Sequence, residues 1–100
     1  MVKFEWDEKK NLLNIKKHKI SFEKALHVFT DNNALIMKDD DLSYTEERFI
    51  TLGSIGNQTI VVVVHTDRSR EGVEIIRIIS ARYATSKEKR DYINFNKDRN

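Results

Sequence analysis

The stretch Thr59-Ile60-Val61-Val62-Val63-Val64-His65-Thr66 contains the longest apolar run of the chain and decides the fold class. β-Branched residues favour extended backbone, so this run predicts a strand. The stretch 73–82, with the sequence VEIIRIISAR, has the same character and predicts a buried central strand. A membrane-spanning helix needs about 20 apolar residues, far more than either stretch supplies. Together they predict a β-sheet inside a folded domain.

Two further strands are predicted upstream, at 34–37 and 47–53, with a loop at 38–41 between them. The turn-forming residues 56–58 predict a hairpin that joins 47–53 to 59–66, and 69–72 predict the next turn. Short turns favour antiparallel neighbours. The sequence therefore predicts a four-stranded antiparallel meander.

Two helices are predicted before the sheet. Asp7 is a suitable N-cap for the first, which should end near 18–19, with Leu12 and Ile15 three residues apart on one face. Ser21 is a suitable start for the second. Its apolar stripe follows the helical spacing i, i+4, i+7 and consists of Phe22, Leu26 and Phe29.

One helix is predicted after the sheet. Thr85 and Glu88 have the spacing of a capping box, and Tyr92, Ile93 and Phe95 would form the inner side. The order helix, helix, four strands, helix is an α+β fold in a single domain, 1–100, with helices packed on one face of the sheet.

Charge is distributed unevenly along the chain. The net charge of the whole chain is +2. Residues 1–30 contain seven lysines and four acidic residues, 31–50 contain two basic and six acidic residues, and 51–100 contain nine basic and six acidic residues. Arginine dominates the last basic segment, and its planar guanidinium group can donate two hydrogen bonds to a phosphate at once. The chain has no cysteine, and its N-terminus lacks the pattern of a signal peptide, so we expect a cytoplasmic protein.

Three blocks of the sequence resemble the BrnT family of small ribonuclease toxins. They are 4–7 (FEWD) with Lys10, Asn14, 17–18, 20–23 (ISFE) and Ala25; 47–49 (ERF) with 52–53; and 77–82 (RIISAR) with Ala84, Arg90 and Tyr92. The resemblance implies a RelE-like toxin fold and ribonuclease activity within a type II toxin–antitoxin pair. It also implies a BrnA-like antitoxin that carries the DNA-binding and dimerising part, so that two toxins and two antitoxins would assemble.

RNA cleavage by the substrate's own 2′-hydroxyl needs a positioned phosphate, cations against the developing charge, and two proton transfers. The three histidines are scattered without metal-ligand spacing, so the sequence predicts no metal and no cofactor. The candidate catalytic residues are Lys17, His18, Arg68, Arg77 and Arg82, and the candidate RNA-binding residues are Arg68, Arg70 and Lys87. Arg68 would hold the phosphate, a second arginine would stabilise the transition state, and Lys17 or His18 would transfer a proton.

Strand alternation places Arg77 and Arg82 on opposite faces unless a bulge intervenes, and the sequence does not choose the face. His65 is expected to be a packed or hydrogen-bonded histidine, and Trp6 is expected to pack on the core.

A second hypothesis is a non-catalytic module that keeps the toxin fold and binds RNA or an antitoxin. Direct DNA binding is weaker, because no helix-turn-helix with a basic recognition helix is evident. The antitoxin is expected at a strand edge or on the N-terminal helices.

Overall fold

The computed structural model describes residues 2–40 and 46–97. Its elements are β1 Val2–Glu5, α1 Glu8–His18, α2 Phe22–Ala25, a 3-10 helix Leu26–Thr30, β2 Leu35–Asp39, β3 Arg48–Ser54, β4 Ile60–Asp67, β5 Glu74–Tyr83 and α3 Ser86–Lys97. Of the predicted loop at 38–41, Lys38 and Asp39 belong to β2, and Asp41 lies outside the described residues. No described helix is long and apolar enough to cross a bilayer.

The α+β class is confirmed, but the sheet is mixed. Among the described residues it has five strands in the order β1-β5-β4-β3-β2. The four predicted strands pair antiparallel as expected, whereas β1 lies parallel to β5, with Val2 opposite Glu74 and Glu5 opposite Arg77. The prediction missed β1 because a parallel pair joins distant segments, and no turn signal beside a four-residue strand marks its partner.

The two faces of the sheet carry different side chains. One face, the helical face, packs Val61 and Val63 of β4 against Phe22 and Val28 in the main apolar cluster. The opposite face packs Val62 with residues such as Tyr92 of α3 in a smaller cluster. The prediction that all helices lie on one face was therefore wrong, because α3 covers one end of the second face.

Helix α1 closes the edge of β5 with an amide side chain. β1 pairs with β5 only over Glu74 to Arg77, so the backbone of Ala81 lies beyond it. The buried Asn14 takes the place of a strand there: its Nδ2 donates to the Ala81 carbonyl at 2.9 Å, and its Oδ1 accepts from the Ala81 N–H at 3.2 Å. Pairing an exposed edge in this way removes two unsatisfied backbone groups.

The apolar face predicted for α1 was wrong. The buried side chains of this helix are Asn11 and Asn14, whereas Leu12 and Ile15 are exposed. Asn11 accepts from the Phe22 N–H at 2.8 Å and so caps the next segment. The helix turns these amides inward because they satisfy buried backbone groups, and hydrophobic spacing alone does not reveal that demand.

The predicted helix starts are confirmed. Asp7 accepts from the Lys9 N–H, Ser21 accepts from the Lys24 N–H, and Thr85 and Glu88 exchange the two bonds of a capping box. The second predicted helix is the four-residue α2, continued by the 3-10 helix.

Two apolar predictions for the helices had different outcomes. The stripe Phe22, Leu26, Phe29 does pack in the main cluster. On α3, only Tyr92 of the predicted inner residues packs inward, because Ile93 and Phe95 are exposed.

Candidate functional site

A β-bulge in β5 decides which arginines share a face. Val64 of β4 pairs with Ser80, and the next residue, His65, pairs with Ile78, so Ile79 is an extra residue. An extra residue reverses the alternation of side chains on its two sides. Arg77 and Arg82 therefore point to the same face, which resolves the alternative that the sequence left open.

This face lies opposite the helical face, and we call the part of it that β4 and β5 form the open face. Its central residues are Thr66, Val64 and Val62 of β4, which pair with Arg77, Ser80 and Arg82 of β5, respectively. Thr66 and Val62, the partners of Arg77 and Arg82, are four residues apart on β4. The Cα atoms of the two arginines are therefore separated by ~13 Å. Long guanidinium side chains can converge across such a distance on a ligand placed over Ser80.

Thr66 is the buried hydroxyl at the centre of the open face. The residue is 1% exposed, and its Oγ1 has no hydrogen-bond partner among the described residues. A buried polar atom of this kind costs free energy unless a ligand or water bonds to it. Thr66 therefore carries a buried hydroxyl whose hydrogen-bonding capacity no described residue satisfies.

Carboxylates orient both arginines. Glu5, which β1 places opposite Arg77, accepts from Arg77 Nη1 at 3.0 Å. Glu88 accepts from both Nη atoms of Arg82, at 2.7 and 2.9 Å. The bond from Arg82 is the largest cause that lowers the pKa of Glu88 to about 2, and the same bond raises the pKa of Arg82. Each guanidinium keeps further N–H donors for an anion.

Arg68 and Arg70 lie at one end of the open face. Arg68 follows β4, donates its backbone N–H to the Ile75 carbonyl at 2.9 Å, and forms an ion pair with Glu46 at 3.0 Å. Arg70 is exposed in the following turn and lines a cavity of about 250 Å³ together with Glu5. Both predicted RNA-binding residues are thus close to the residues that surround Arg77.

A groove lies at the other end, between the sheet and α3. Its volume is about 370 Å³, within the range of small-ligand sites. The floor is apolar and the rim is polar; the lining residues are Leu35, Met37, Ile50, Leu52, Val62, Thr85, Lys87, Glu88 and Asp91. Lys87, also predicted to bind RNA, is exposed on this rim in an ion pair with Asp91 at 3.0 Å. Because Glu88 also holds Arg82, the groove and the arginine site are contiguous.

The structure separates Lys17 from His18. Asn11 points to α2 and Asn14 to the edge of β5. Along a helix, the side-chain direction turns about the axis by about 60° with each step of three residues. The step from Asn14 to Lys17 repeats the turn from Asn11 to Asn14, so Lys17 lies on the side of the open face. His18, rotated about 40° from Asn14 in the other sense, lies with Asn11 on the side of α2. The two side chains therefore leave the helix in directions about 100° apart.

The structure places Lys17 and Arg68 towards opposite ends of β5. Lys17 lies one turn beyond Asn14, which bonds to Ala81, whereas Arg68 bonds to Ile75 at the far end of β5. The six residues between these bonding points extend over ~20 Å. The geometry instead groups Arg77 with Arg82, and places Lys17 at the Arg82 end.

His65 behaves as predicted. It is buried on the helical face, where it shares a 2.8 Å hydrogen bond with Thr51 Oγ1 and contacts the rings of Phe29 and Phe49. Burial lowers the pKa of His65 to about 4, so it stays neutral at physiological pH. The prediction for Trp6 is also confirmed, because its ring packs edge-on against Phe22.

A family model described as the BrnT ribonuclease toxin of type II toxin–antitoxin systems matches residues 6–88. The chain belongs to this BrnT family. The solved structure of the Brucella abortus ribonuclease toxin BrnT is similar over 86% of this chain and 100% of that chain, with 27% identity and a TM-score of 0.65. A comparison with curated proteins found no match.

Membership of the BrnT family shows that this protein is a ribonuclease toxin of a type II toxin–antitoxin system, and that it has an antitoxin partner. Across residues 2–40 and 46–97, no group of three or more histidines or carboxylates has the arrangement of a metal site.

Sequence reasoning missed four residues of the candidate site. Glu5 and Glu88 were overlooked as arginine partners, and Thr66 and Ser80 as hydroxyls of the open face. For Glu88 a signal existed, since the capping box already placed it near the end of the strand that carries Arg82. Thr66 and Ser80 share faces with Arg68 and Arg82 by simple alternation and could have been found in the same way. Glu5 depends on the parallel pairing of β1, which has no local signature.

Proposed function

We propose that the open face is the active site at which this toxin cleaves mRNA and so inhibits translation, without a metal ion, through attack by the substrate's 2′-hydroxyl. The observation that supports this most directly is the bulge at Ile79, because it places Arg77 and Arg82 on one face beside the unpaired Thr66 hydroxyl. Cations and hydroxyls on one face of a sheet suit a phosphodiester.

In the proposed reaction the 2′-oxygen loses its proton and bonds to phosphorus while the bond from phosphorus to the 5′-oxygen breaks. The products are a 2′,3′-cyclic phosphate and a free 5′-hydroxyl. Arg77 and Arg82 neutralise the charge that develops on the phosphoryl oxygens, and Thr66 and Ser80 donate hydrogen bonds to them.

Two proton transfers remain. Glu5 is the better candidate base, because a carboxylate with a pKa of about 2, such as Glu88, accepts a proton poorly. Glu5 reaches the site through its 3.0 Å contact with Arg77. Lys17, on the side of α1 that turns towards the open face, is the candidate to protonate the leaving 5′-oxygen.

We propose that RNA follows the open face from Arg68 and Arg70 to Lys87. Phosphates on either side of the cleaved bond would contact these cations, and the apolar floor of the groove beside α3 would receive a base. This binding path spans the length of β5.

The decisive test compares cleavage of RNA by the wild type, Arg77→Ala and Arg82→Ala, in the presence and absence of EDTA. Removing a group that stabilises the transition state typically lowers the rate 10²–10³-fold. Arg90→Ala, at an exposed arginine of α3, is the matched control and should cleave at the wild-type rate. If both variants are folded and cleave like the wild type, the site lies elsewhere, and loss of wild-type cleavage in EDTA would overturn metal independence.

The partner proposal follows from family membership. We expect a BrnA-like antitoxin that dimerises and binds DNA, a complex of two toxins with two antitoxins, and a cytoplasmic location. Size-exclusion chromatography with light scattering on the co-purified pair would test the stoichiometry.

One observation favours the alternative, a binding module that does not cleave RNA. Arg68, Arg77 and Arg82 each form an ion pair with a glutamate, which offsets their positive charge. Such a module would bind RNA and leave it intact with and without ribosomes, so the same cleavage assay separates the two functions.

A further inference from the structure

Helix α1 buries polar side chains and exposes apolar ones, the opposite of a usual amphipathic helix. Its inner face carries the buried Asn11 and Asn14, while Leu12 is 60% exposed and Leu13 is 65% exposed. With Lys9 and Lys16, the two leucines follow the spacing i, i+3, i+4, i+7, which forms one stripe on a helix. This stripe, which we call the α1 ridge, points away from the body of the protein.

The fold makes no use of the α1 ridge. The inner face of the helix is fixed by five hydrogen bonds between its two asparagines and other segments. Asn11 accepts from the Phe22 N–H and donates to Glu23. Asn14 donates to the carbonyls of Ile20 and Ala81 and accepts from the Ala81 N–H. Rotating the helix to bury the leucines would break these bonds. Neighbouring exposed leucines that the monomer cannot bury are typical of a protein-binding surface.

We propose that the α1 ridge binds the antitoxin of this toxin, through a segment of the antitoxin that is both acidic and apolar. The ridge combines two leucines with lysines on both sides, and only Glu8 opposes the five lysines of 8–19. An acidic amphipathic helix would bury the leucines and pair with the lysines at the same time. The proposal rests on the toxin function, because that function is what requires an antitoxin.

Charge argues against the other occupants of the α1 ridge. A second copy of this chain would bring lysines against lysines, which like-charge repulsion disfavours. RNA would contact the lysines through its phosphates but would leave Leu12 and Leu13 in water. A protein segment with carboxylates beside apolar side chains matches both features.

Two other exposed apolar sites are weaker candidates. Ile36 on the edge strand β2 is followed by charges of both signs, Lys38 and Asp39, which select no partner. Ile93 on α3 is a single large aliphatic residue next to an asparagine. Each provides a control of matching exposure for the leucines of α1.

The test measures the dissociation constant between this toxin and its cognate antitoxin, by isothermal titration calorimetry. The double variant Leu12→Ser/Leu13→Ser should bind about 100-fold more weakly, about tenfold for each buried anchor. Lys9→Glu/Lys16→Glu should also bind more weakly and should reduce the dependence of binding on salt. Ile36→Ser and Ile93→Ser should bind like the wild type.

The proposal for the α1 ridge is overturned if the folded double leucine variant has a dissociation constant within threefold of that of the wild type. It is also overturned if Ile36→Ser or Ile93→Ser causes the large loss of affinity instead. Absence of binding by the wild type would overturn it as well. Circular dichroism confirms folding of each variant. The measurement needs no RNA cleavage, so a chain that fails to cut RNA yet binds through the ridge would refute the catalytic proposal alone.

Discussion

The substitution Asn14→Ala should destabilise the protein more than its position on a surface helix suggests. The carboxamide makes three hydrogen bonds: Nδ2 to the carbonyls of Ile20 and Ala81, both at 2.9 Å, and Oδ1 to the Ala81 N–H at 3.2 Å. At about 1 kcal/mol for each bond, the loss is about 3 kcal/mol. The higher helix propensity of alanine returns only about 0.5 kcal/mol.

Urea and thermal unfolding monitored by circular dichroism would measure this loss. For a domain of this size, 1 kcal/mol shifts the midpoint by roughly 4–8 °C, so we expect the midpoint to fall by at least ~10 °C. Asn94→Ala, at an exposed asparagine of α3, is the matched control and isolates the gain in helix propensity. A loss below about 1 kcal/mol after this correction would refute the role of Asn14 as the cap of the β5 edge.

Three further predictions concern the core and the site. Burial lowers the pKa of His65 from 6.5 to about 4, so the unfolded chain takes up a proton at a higher pH than the folded protein does. The free energy of unfolding should therefore fall by about 3 kcal/mol as pH falls from 6.5 to 4. In urea unfolding, His65→Leu should remove this dependence on pH. Since the bond from Arg82 lowers the pKa of Glu88 from 4.5 to about 2, the pair stabilises the fold above pH 4.5 and loses this effect as pH falls towards 2, so Glu88→Gln should flatten the unfolding free energy there. A Cβ at Gly53 would lie 3.0 Å from Val28 Cβ, so Gly53→Ala should cost about 1–3 kcal/mol in the same assay.

Each of these predictions has an outcome that contradicts it. Equal pH slopes for the wild type and His65→Leu would show that another group titrates between pH 6.5 and 4. An unchanged acid profile in Glu88→Gln would mean that solvent screens its ion pair completely. A wild-type midpoint for Gly53→Ala would show that the 3-10 helix shifts away at no cost.

The sequence alone was enough for features that depend on neighbouring residues. Helix starts follow from side chains that cap backbone N–H groups within three residues, as at Asp7, Ser21 and Thr85. The four antiparallel strands follow from β-branched runs separated by short turns. The arginines were recognised as candidates because guanidinium groups on a strand suit phosphate, but their arrangement was not.

The tertiary structure alone decided what depends on contacts between distant segments. The parallel strand β1 brings Glu5 to Arg77 across 72 positions of sequence, and the bulge at Ile79 turns Arg77 and Arg82 to one face. The inward turn of Asn14 satisfies a strand edge 67 positions away. The periodicity of apolar residues in the sequence indicates which side chains could be buried. The site and the α1 ridge depend instead on which backbone groups need a hydrogen-bond partner. That requirement arises only once the sheet has formed.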